Sequence, residues 1–314
     1  MDIQQEVLSQ YVKGVMRTMY DIQEVRVRVD NRIDALERLG GDEVKDVVLE
    51  LQGNLSTLAH KMEANAERAL DKAVSRFPVI EWLEKVRGIG PRYAGSLVGV
   101  IAPISRFESV SALWAYCGLH TVRICANCNK LAPAAKEKEH FLNRQVERRW
   151  EIAQLRKEKL PDEEDFKRKQ YSDSEAKLCS CTAPEIQIAA PNRKYYAGLL
   201  LDHNTFLRMT CWKIAAQFVK QGKFYRTIYE QRKERYTERD GAKLSAGHIE
   251  NRARRAMIKL FISHLWEMWR KSEGLAVGET YLQYKLGQDF AKRHTLILPP
   301  YADIFDIVEK QAAD

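Results

Sequence analysis

Residues 82–101 read WLEKVRGIGPRYAGSLVGVI. Apolar residues recur at helical spacing on both sides of the glycines, and Pro91 stands where proline is tolerated, at the first position of a helix. The stretch predicts a helix, a Gly88-Ile89-Gly90 turn and a second helix. This is the helix-hairpin-helix pattern, with Ala94 where the two helices must approach closely. Glycines at 88 and 90 let the backbone turn with its N–H groups exposed beside a helix N-terminus, where hydrogen bonds and the helix dipole together favour a phosphate. Arg87 and Arg92 flank the turn as charge contacts. Such a contact grips backbone rather than bases and is independent of sequence. The same glycines also suit a tight packing turn with no ligand.

Working outward, residues 4–39 contain one glycine, Gly14, and no proline. Val12, Val15, Met16, Met19, Ile22, Ile33 and Leu36 fall largely at steps of three and four, as on a long amphipathic helix. Gly40-Gly41 breaks it, and a second pattern runs from Val44 through Val48, Leu51, Leu55, Leu58, Met62 and Leu70 towards Pro78. Two long helices across a glycine turn predict an antiparallel hairpin over 1–78, a dimerisation or spacer element. Beyond the insertion described below, 192–271 reads as helical, with a break near Asp240-Gly241. One helix passes through Phe206, Leu207, Ile214 and Phe218. A short segment, FYRTIYEQRKERYTER, follows, and a last helix runs from about His248 to Arg270. The tail, 272–314, contains HTLILPPYADIF, expected to lie extended along the surface. The fold class is all-α, with 79–271 as one helical domain.

Composition agrees. Sixteen glycines and nine prolines among 314 residues, with 30% charged and 45% apolar residues, exclude collagenous and low-complexity chains. No run is long and apolar enough for a spanning helix, and the opening MDIQQEVLSQ is too polar for a signal peptide. A protein of the cell interior is expected, nucleoid-associated if it binds DNA. The net charge of +8 is unevenly spread: residues 192–271 carry 18 basic and 7 acidic residues, whereas residues 1–80 carry 11 and 14. A localised excess of this kind is the footprint of a polyanion. Arg252, Arg254, Arg255 and Lys259 open the last helix as candidate phosphate contacts. Tyr225, Tyr229 and Tyr236, interleaved with basic residues, suit stacking or core packing.

Six cysteines in a chain of this length are no disulfide scaffold. Cys125-Ala-Asn-Cys128 and Cys179-Ser-Cys181 form two close pairs, and four thiolates so arranged suit tetrahedral structural zinc. A closed site of four cysteines has no open position for catalysis. No βαβ pattern surrounds CxxC, so a thioredoxin-like role is not indicated. Cys117 and Cys211 sit in apolar helical patterns and are core candidates; His120 and His140 are substitute ligands. Between the pairs, residues 134–176 form a charged arm. Leu142, Val146 and Trp150 mark a helix in its first part, while PDEEDFKRKQYSDSE reads as a linker, with zinc clamping the base.

Taken in order, the GIG turn, ISRFESVSALWAYCGL, HNTFLRMTCWKIA, FYRTIYEQRKER and HIENRARRAMIKLFISHLWEMW resemble the C-terminal transposase domain of the one-ten/one-sixteen insertion-sequence family, bridge-RNA-guided DEDD recombinases. The likeness covers about 80–271, interrupted by the cysteine-bearing insertion, and the hairpin at 1–76 is similar to the family's coiled-coil spacer. Gly88 and Gly90 match its GIG turn; Phe107, Tyr116, Gly118 and Leu119 match its RF…Y.GL stretch. Asn204, Leu207 and Arg208 match its GN..LR helix start, with His203 in place of the glycine. The resemblance implies that Asn204 and Arg208 belong to a DNA-binding surface. Two departures bear on activity. The family's acidic N-terminal nuclease domain has no counterpart, and no serine follows Leu119 until Ser172, where the family has a Ser-Gly nucleophile.

The expectation is therefore a transposase-derived, non-catalytic accessory protein with no catalytic residue assigned. It would grip duplex or branched DNA through the Gly88–Gly90 hairpin and the basic helices, and self-associate through its N-terminal hairpin. One alternative is an active recombinase or nuclease using Ser180 or a partner's acidic site. Another is an RNA-binding component of a ribonucleoprotein.

Overall fold

The structure, a computed structural model, describes residues 3–158, 162–278 and 297–305. The described residues are all-α apart from one two-stranded sheet. The chain divides into two compact units. Unit 1 comprises Met1–Leu113 and Met209–Asp314, and unit 2 comprises Trp114–Arg208. These limits differ from the sequence boundaries at 78 and 271, because the N-terminal hairpin packs against the helix after the GIG turn.

In unit 1, α1 (Ile3–Leu39) ends at Gly40 and Gly41, whose φ values of 70° and 100° reverse the chain. The return arm is α2 (Asp42–Leu51), a π-helical turn (Gln52–Ser56) and α3 (Thr57–Val74). After α4 (Ile80–Lys85), helix α5 (Pro91–Ile101) lies against both α1 and α3. Its glycines make that approach possible. A Cβ on Gly95 would stand 2.7 Å from Leu70 Cδ1, and one on Gly99 would stand 3.3 Å from the Lys13 backbone nitrogen. Ala94 is also buried, but the glycines are what bring α5 this close to the hairpin.

A charged clamp joins the same helices. Glu63, 5% exposed, accepts from Arg26 and Gln23 on α1 and pairs with Arg92 on α5. The rest of the unit is held by aromatic packing. Phe218 stacks on Tyr225 at 4.6 Å and meets Phe261 edge-on at 5.1 Å, while Trp82 stacks on Phe261 at 6.1 Å. The helices contributing here are α10 (Thr205–Gln221), α11 (Lys223–Asp240) and α12 (Ala246–Ser272). The tyrosines reported as stacking or core candidates divide accordingly: Tyr225 and Tyr229 are buried, and Tyr236 is half-buried. His264 bridges between Tyr225 Oη, at 2.9 Å from Nδ1, and the Ile297 carbonyl, at 2.9 Å from Nε2. Burial lowers its pKa to about 4. Of the C-terminal tail, 279–296 and 306–314 lie outside the described residues. Within 297–305, the Pro300 carbonyl accepts from the Trp82 indole at 2.7 Å.

The segment FYRTIYEQRKERYTER forms most of α11, an 18-residue helix that packs along α12 and ends at Asp240, where the sequence places the break. One sequence reading needs correction. In unit 2, PDEEDFKRKQYSDSE is helical from Glu163 to Glu175 (α8), with Pro161 outside the described residues. Few apolar residues mark α8, so its start signals decide it. Asp162 caps Glu164 N–H at 3.0 Å, and Glu163, Glu164 and Asp165 favour the positive end of the helix dipole. Helix α7 (Ala135–Leu155) runs antiparallel to α8, tied by Lys138–Glu175 at 2.6 Å and Lys167–Glu147 at 2.9 Å. Strands β1 (Val122–Cys125) and β2 (Ile186–Ala189) pair antiparallel, with Cys125 opposite Ile186. A small core of Ile124, Leu131, Leu142, Leu178, Tyr196 and Leu199 joins this ribbon to α7.

Candidate functional site

The metal site is built by the ribbon and the end of α8. Cys125 closes β1, and its N–H bonds the Lys130 carbonyl at 2.9 Å. Asn129 adopts φ 56° and returns its N–H to the Cys125 carbonyl at 2.8 Å, which turns the loop so that Cys128 faces Cys125. The Cys179 N–H bonds the Leu131 carbonyl at 2.9 Å, fixing the second pair to the first. The four sulfur atoms lie within 4.8 Å of one another. A tetrahedral site with bonds of about 2.3 Å needs sulfurs roughly 3.8 Å apart, so only a modest contraction separates the two geometries. Burial opposes ionisation of Cys125, but N–H groups of Cys128 and Asn127 and the adjoining thiols bring its pKa down to about 7. The neighbouring thiols push Cys181 up to about 12. The donor set is compatible with a metal site.

The remaining cysteine and histidine readings separate cleanly. Cys117 and Cys211 are fully buried and unbridged. His120 and His140 are not part of the sulfur cluster; His120 Nε2 instead lies 3.0 Å from Asp202 Oδ2. Ser180 is exposed between two cysteines.

At the hairpin turn only one glycine is demanded by conformation. Gly88 has φ 102°, and a Cβ there would also stand 3.2 Å from Phe218 Cδ1. Ile89 is buried, with its N–H on the Val86 carbonyl at 3.0 Å. Gly90 has an ordinary φ of −107° and caps α5, with open space where a Cβ would point. Arg87 is exposed and, among the described residues, has no ion-pair partner. Arg92 is committed: Glu67 takes its Nε at 3.2 Å, and Glu63 takes a second nitrogen. Beside the turn lies a cleft of about 190 Å³ lined by Arg87, Lys223, Phe224 and Tyr301. Both aromatic rings are exposed, Phe224 by 37% and Tyr301 by 53%.

The other sequence candidates have structural duties. Asn204 Oδ1 accepts from Leu207 N–H at 3.0 Å and its Nδ2 reaches Tyr116 Oη at 3.2 Å, so it starts α10. Arg208 donates to the Pro191 carbonyl, half-buried in unit 2. Arg252 bonds Asp240 at 2.6 Å and lies 4.7 Å from the Tyr236 ring centre, while Arg254 pairs with Glu250. Arg255 and Lys259 are half-buried; burial, then the Arg255 charge, lower the Lys259 pKa. Cations that sequence reasoning passed over are more open. Lys213 and Lys220 on α10, and Lys223, Lys233 and Arg235 on α11, are exposed and have no ion pair among the described residues. For Lys213, Lys220 and Lys223 the signal was the absence of an acidic residue three or four positions away. Comparison with family models, curated proteins and solved structures gives no match for this chain.

Proposed function

We propose that this protein is a nucleic-acid-binding scaffold that grips a phosphate backbone through the Gly88–Gly90 turn and the free cations of α10 and α11. The observation that carries this reading is the cleft beside the turn, where Arg87 and Lys223 stand with the exposed rings of Phe224 and Tyr301. Cations at a rim with aromatic faces suit a sugar-phosphate chain with an unpaired base, and the geometry recognises no particular sequence. DNA, duplex or branched, is the polymer proposed, as in the transposase-like ancestry that the order of motifs suggests. The metal is zinc in a structural role: a four-thiolate set has the softness and closed geometry for it. Self-association belongs to the same reading, since Leu55, Leu58 and Met62 are exposed at steps of three and four on the hairpin.

The test is fluorescence-anisotropy titration of zinc-loaded protein with duplex, four-way-junction and single-stranded DNA and matched RNA, from 50 to 200 mM salt. Each neutralised phosphate contributes about 0.9 to the log–log slope on duplex. Arg87→Gln with Lys223→Gln should therefore lower the slope by about two. A flat salt dependence sinks the proposal. RNA outcompeting DNA moves it to a ribonucleoprotein, and cleaved strands that survive Ser180→Ala point to chemistry elsewhere.

A further inference from the structure

Unit 2 contains a second cavity of about 290 Å³, with none of the four cysteines in its lining, built from β1, α7 and the chain before α10. Its construction follows from helical spacing. Phe141, Arg144 and Arg148 recur at three- and four-residue steps on α7 and share one face, and Arg123 stands across from them on β1. Arg123, Arg144 and Arg148 are exposed, and among the described residues none has a carboxylate partner. One nitrogen of Arg148 donates to the Leu201 carbonyl at 2.6 Å, which fixes that guanidinium at the cavity and leaves its other donors available. Leu131 and Phe141 supply an apolar wall.

The inner end is held by a polar network. Asp202 Oδ2 faces His120 Nε2 at 3.0 Å, while its Oδ1 accepts from Tyr196 Oη at 2.6 Å and faces His203 Nδ1 at 3.0 Å. Both carboxylate oxygens are therefore occupied inside the protein. The carboxylate accepts, so His120 presents Nε2–H to it and His203 presents Nδ1–H. His203 Nε2 then faces Arg208 at 3.4 Å as an acceptor. The packing is tight: a Cβ on Gly118, at φ 66°, would stand 2.8 Å from His203 Cδ2. His120 is thus held with one edge on Asp202 and its ring in the cavity lining. Glu137 is the other carboxylate of that lining, against three guanidinium groups.

We infer that this cavity binds a nucleotide-sized phosphomonoester, its phosphate on Arg123, Arg144 and Arg148 and its ring against Phe141 and Leu131. Guanidinium forks match phosphate geometry, and three converging on one small cavity with an apolar wall select an anion that carries a flat apolar group. Two sources share this chemistry: a free nucleoside monophosphate and the 5′-phosphorylated end of a strand. The site stands on unit 2 alone and does not rest on the phosphate-backbone grip proposed for unit 1.

The experiment is calorimetric titration of the zinc-loaded full chain with AMP, adenosine, inorganic phosphate and a short oligonucleotide with and without a 5′-phosphate. AMP is expected to bind at least about tenfold more tightly than adenosine, the loss that follows from removing a charge-assisted group. Arg123→Gln with Arg144→Gln should abolish that preference with zinc content and melting unchanged, since both side chains are exposed. A 5′-phosphate that strengthens oligonucleotide binding, lost in the same variant, assigns the source to strand ends; a preference confined to AMP assigns it to free nucleotide. The inference is overturned if neither phosphorylated probe exceeds its unphosphorylated counterpart, if the double variant binds unchanged, or if inorganic phosphate equals AMP, which would leave the apolar wall without a role. Because Arg87 and Lys223 are untouched, loss here leaves salt-dependent duplex binding intact.

Discussion

Replacing Glu63 by glutamine tests how unit 1 is held together. Glu63 is 5% exposed and its carboxylate serves Arg26, Arg92 and Gln23, so it joins α1, α3 and α5 in one cluster. Removing one partner of a buried pair costs about 3–5 kcal/mol. Two features reduce that here. Arg26 keeps Asp30 at 2.8 Å and Arg92 keeps Glu67 at 3.2 Å, and the arginine side chains are 21% and 32% exposed. Water and the second carboxylates therefore take up part of the loss, and about 2 kcal/mol is expected. At roughly 2–4 °C per kcal/mol for a body of this size, the transition of unit 1 should fall by about 4–8 °C in calorimetry at pH 7. The pH dependence has a defined sign. Burial raises the Glu63 pKa, but the bonds and charges of Arg26 and Arg92 outweigh it and hold the group below its ordinary 4.5. A depressed folded-state value gives stabilisation that is complete above the unfolded pKa and lost as pH falls through the folded one. The gap between wild type and Glu63→Gln should be full at pH 7 and should narrow below about pH 4.5. A double-mutant cycle with Arg92→Gln should return a coupling of about 1–2 kcal/mol. A gap constant from pH 7 to pH 3.5, or a coupling near zero, would refute the clamp.

Two further outcomes are expected. Chelation or Cys128→Ser should release one zinc per chain and make 114–208 the first region cut by a protease, while the N-terminal hairpin keeps its helical circular dichroism. Gly88→Ala should cost about 1–3 kcal/mol, because it imposes positive φ on an L-residue and crowds Phe218; Gly14→Ala, in the middle of α1 with open space around it, should instead stabilise by up to about 1 kcal/mol. Thermal melts of both variants decide the pair.

Much of the fold was written in local pattern. The three- and four-residue steps of α1, the Gly40-Gly41 break and Pro91 after the GIG turn each specify a backbone event within a few residues, and each appears where expected. Both cysteine pairs were legible because short chelate spacing is itself local. What escaped depends on partners distant in sequence. Val122–Cys125 is only four residues long, and its strand partner begins at Ile186. Gly95 and Gly99 lie against Leu70 of α3 and Lys13 of α1, and nothing in the local pattern of α5 points to those neighbours. Arg92 carried the right charge for a phosphate contact, yet Glu63 lies 29 positions earlier on another helix, and spacing within α5 could not reveal it. Asn204 and Arg208 likewise matched a motif whose residues here start a helix and bridge a carbonyl.

Unit 2 interrupts unit 1, and this has a consequence for biosynthesis. The indole of Trp266 donates to the Phe107 carbonyl at 2.8 Å, and Trp82 reaches Pro300, so contacts that complete the first body come from its last-made helices. A ribosome adding about 5–20 residues per second spends roughly 5–20 s on the intervening segment. During that interval α4 exists without α12, and Trp82 has yet to receive its stacking partner Phe261. The nascent chain should therefore be a client for holding factors until α12 emerges, and truncation before Ala246 should yield an aggregating hairpin rather than a smaller stable protein.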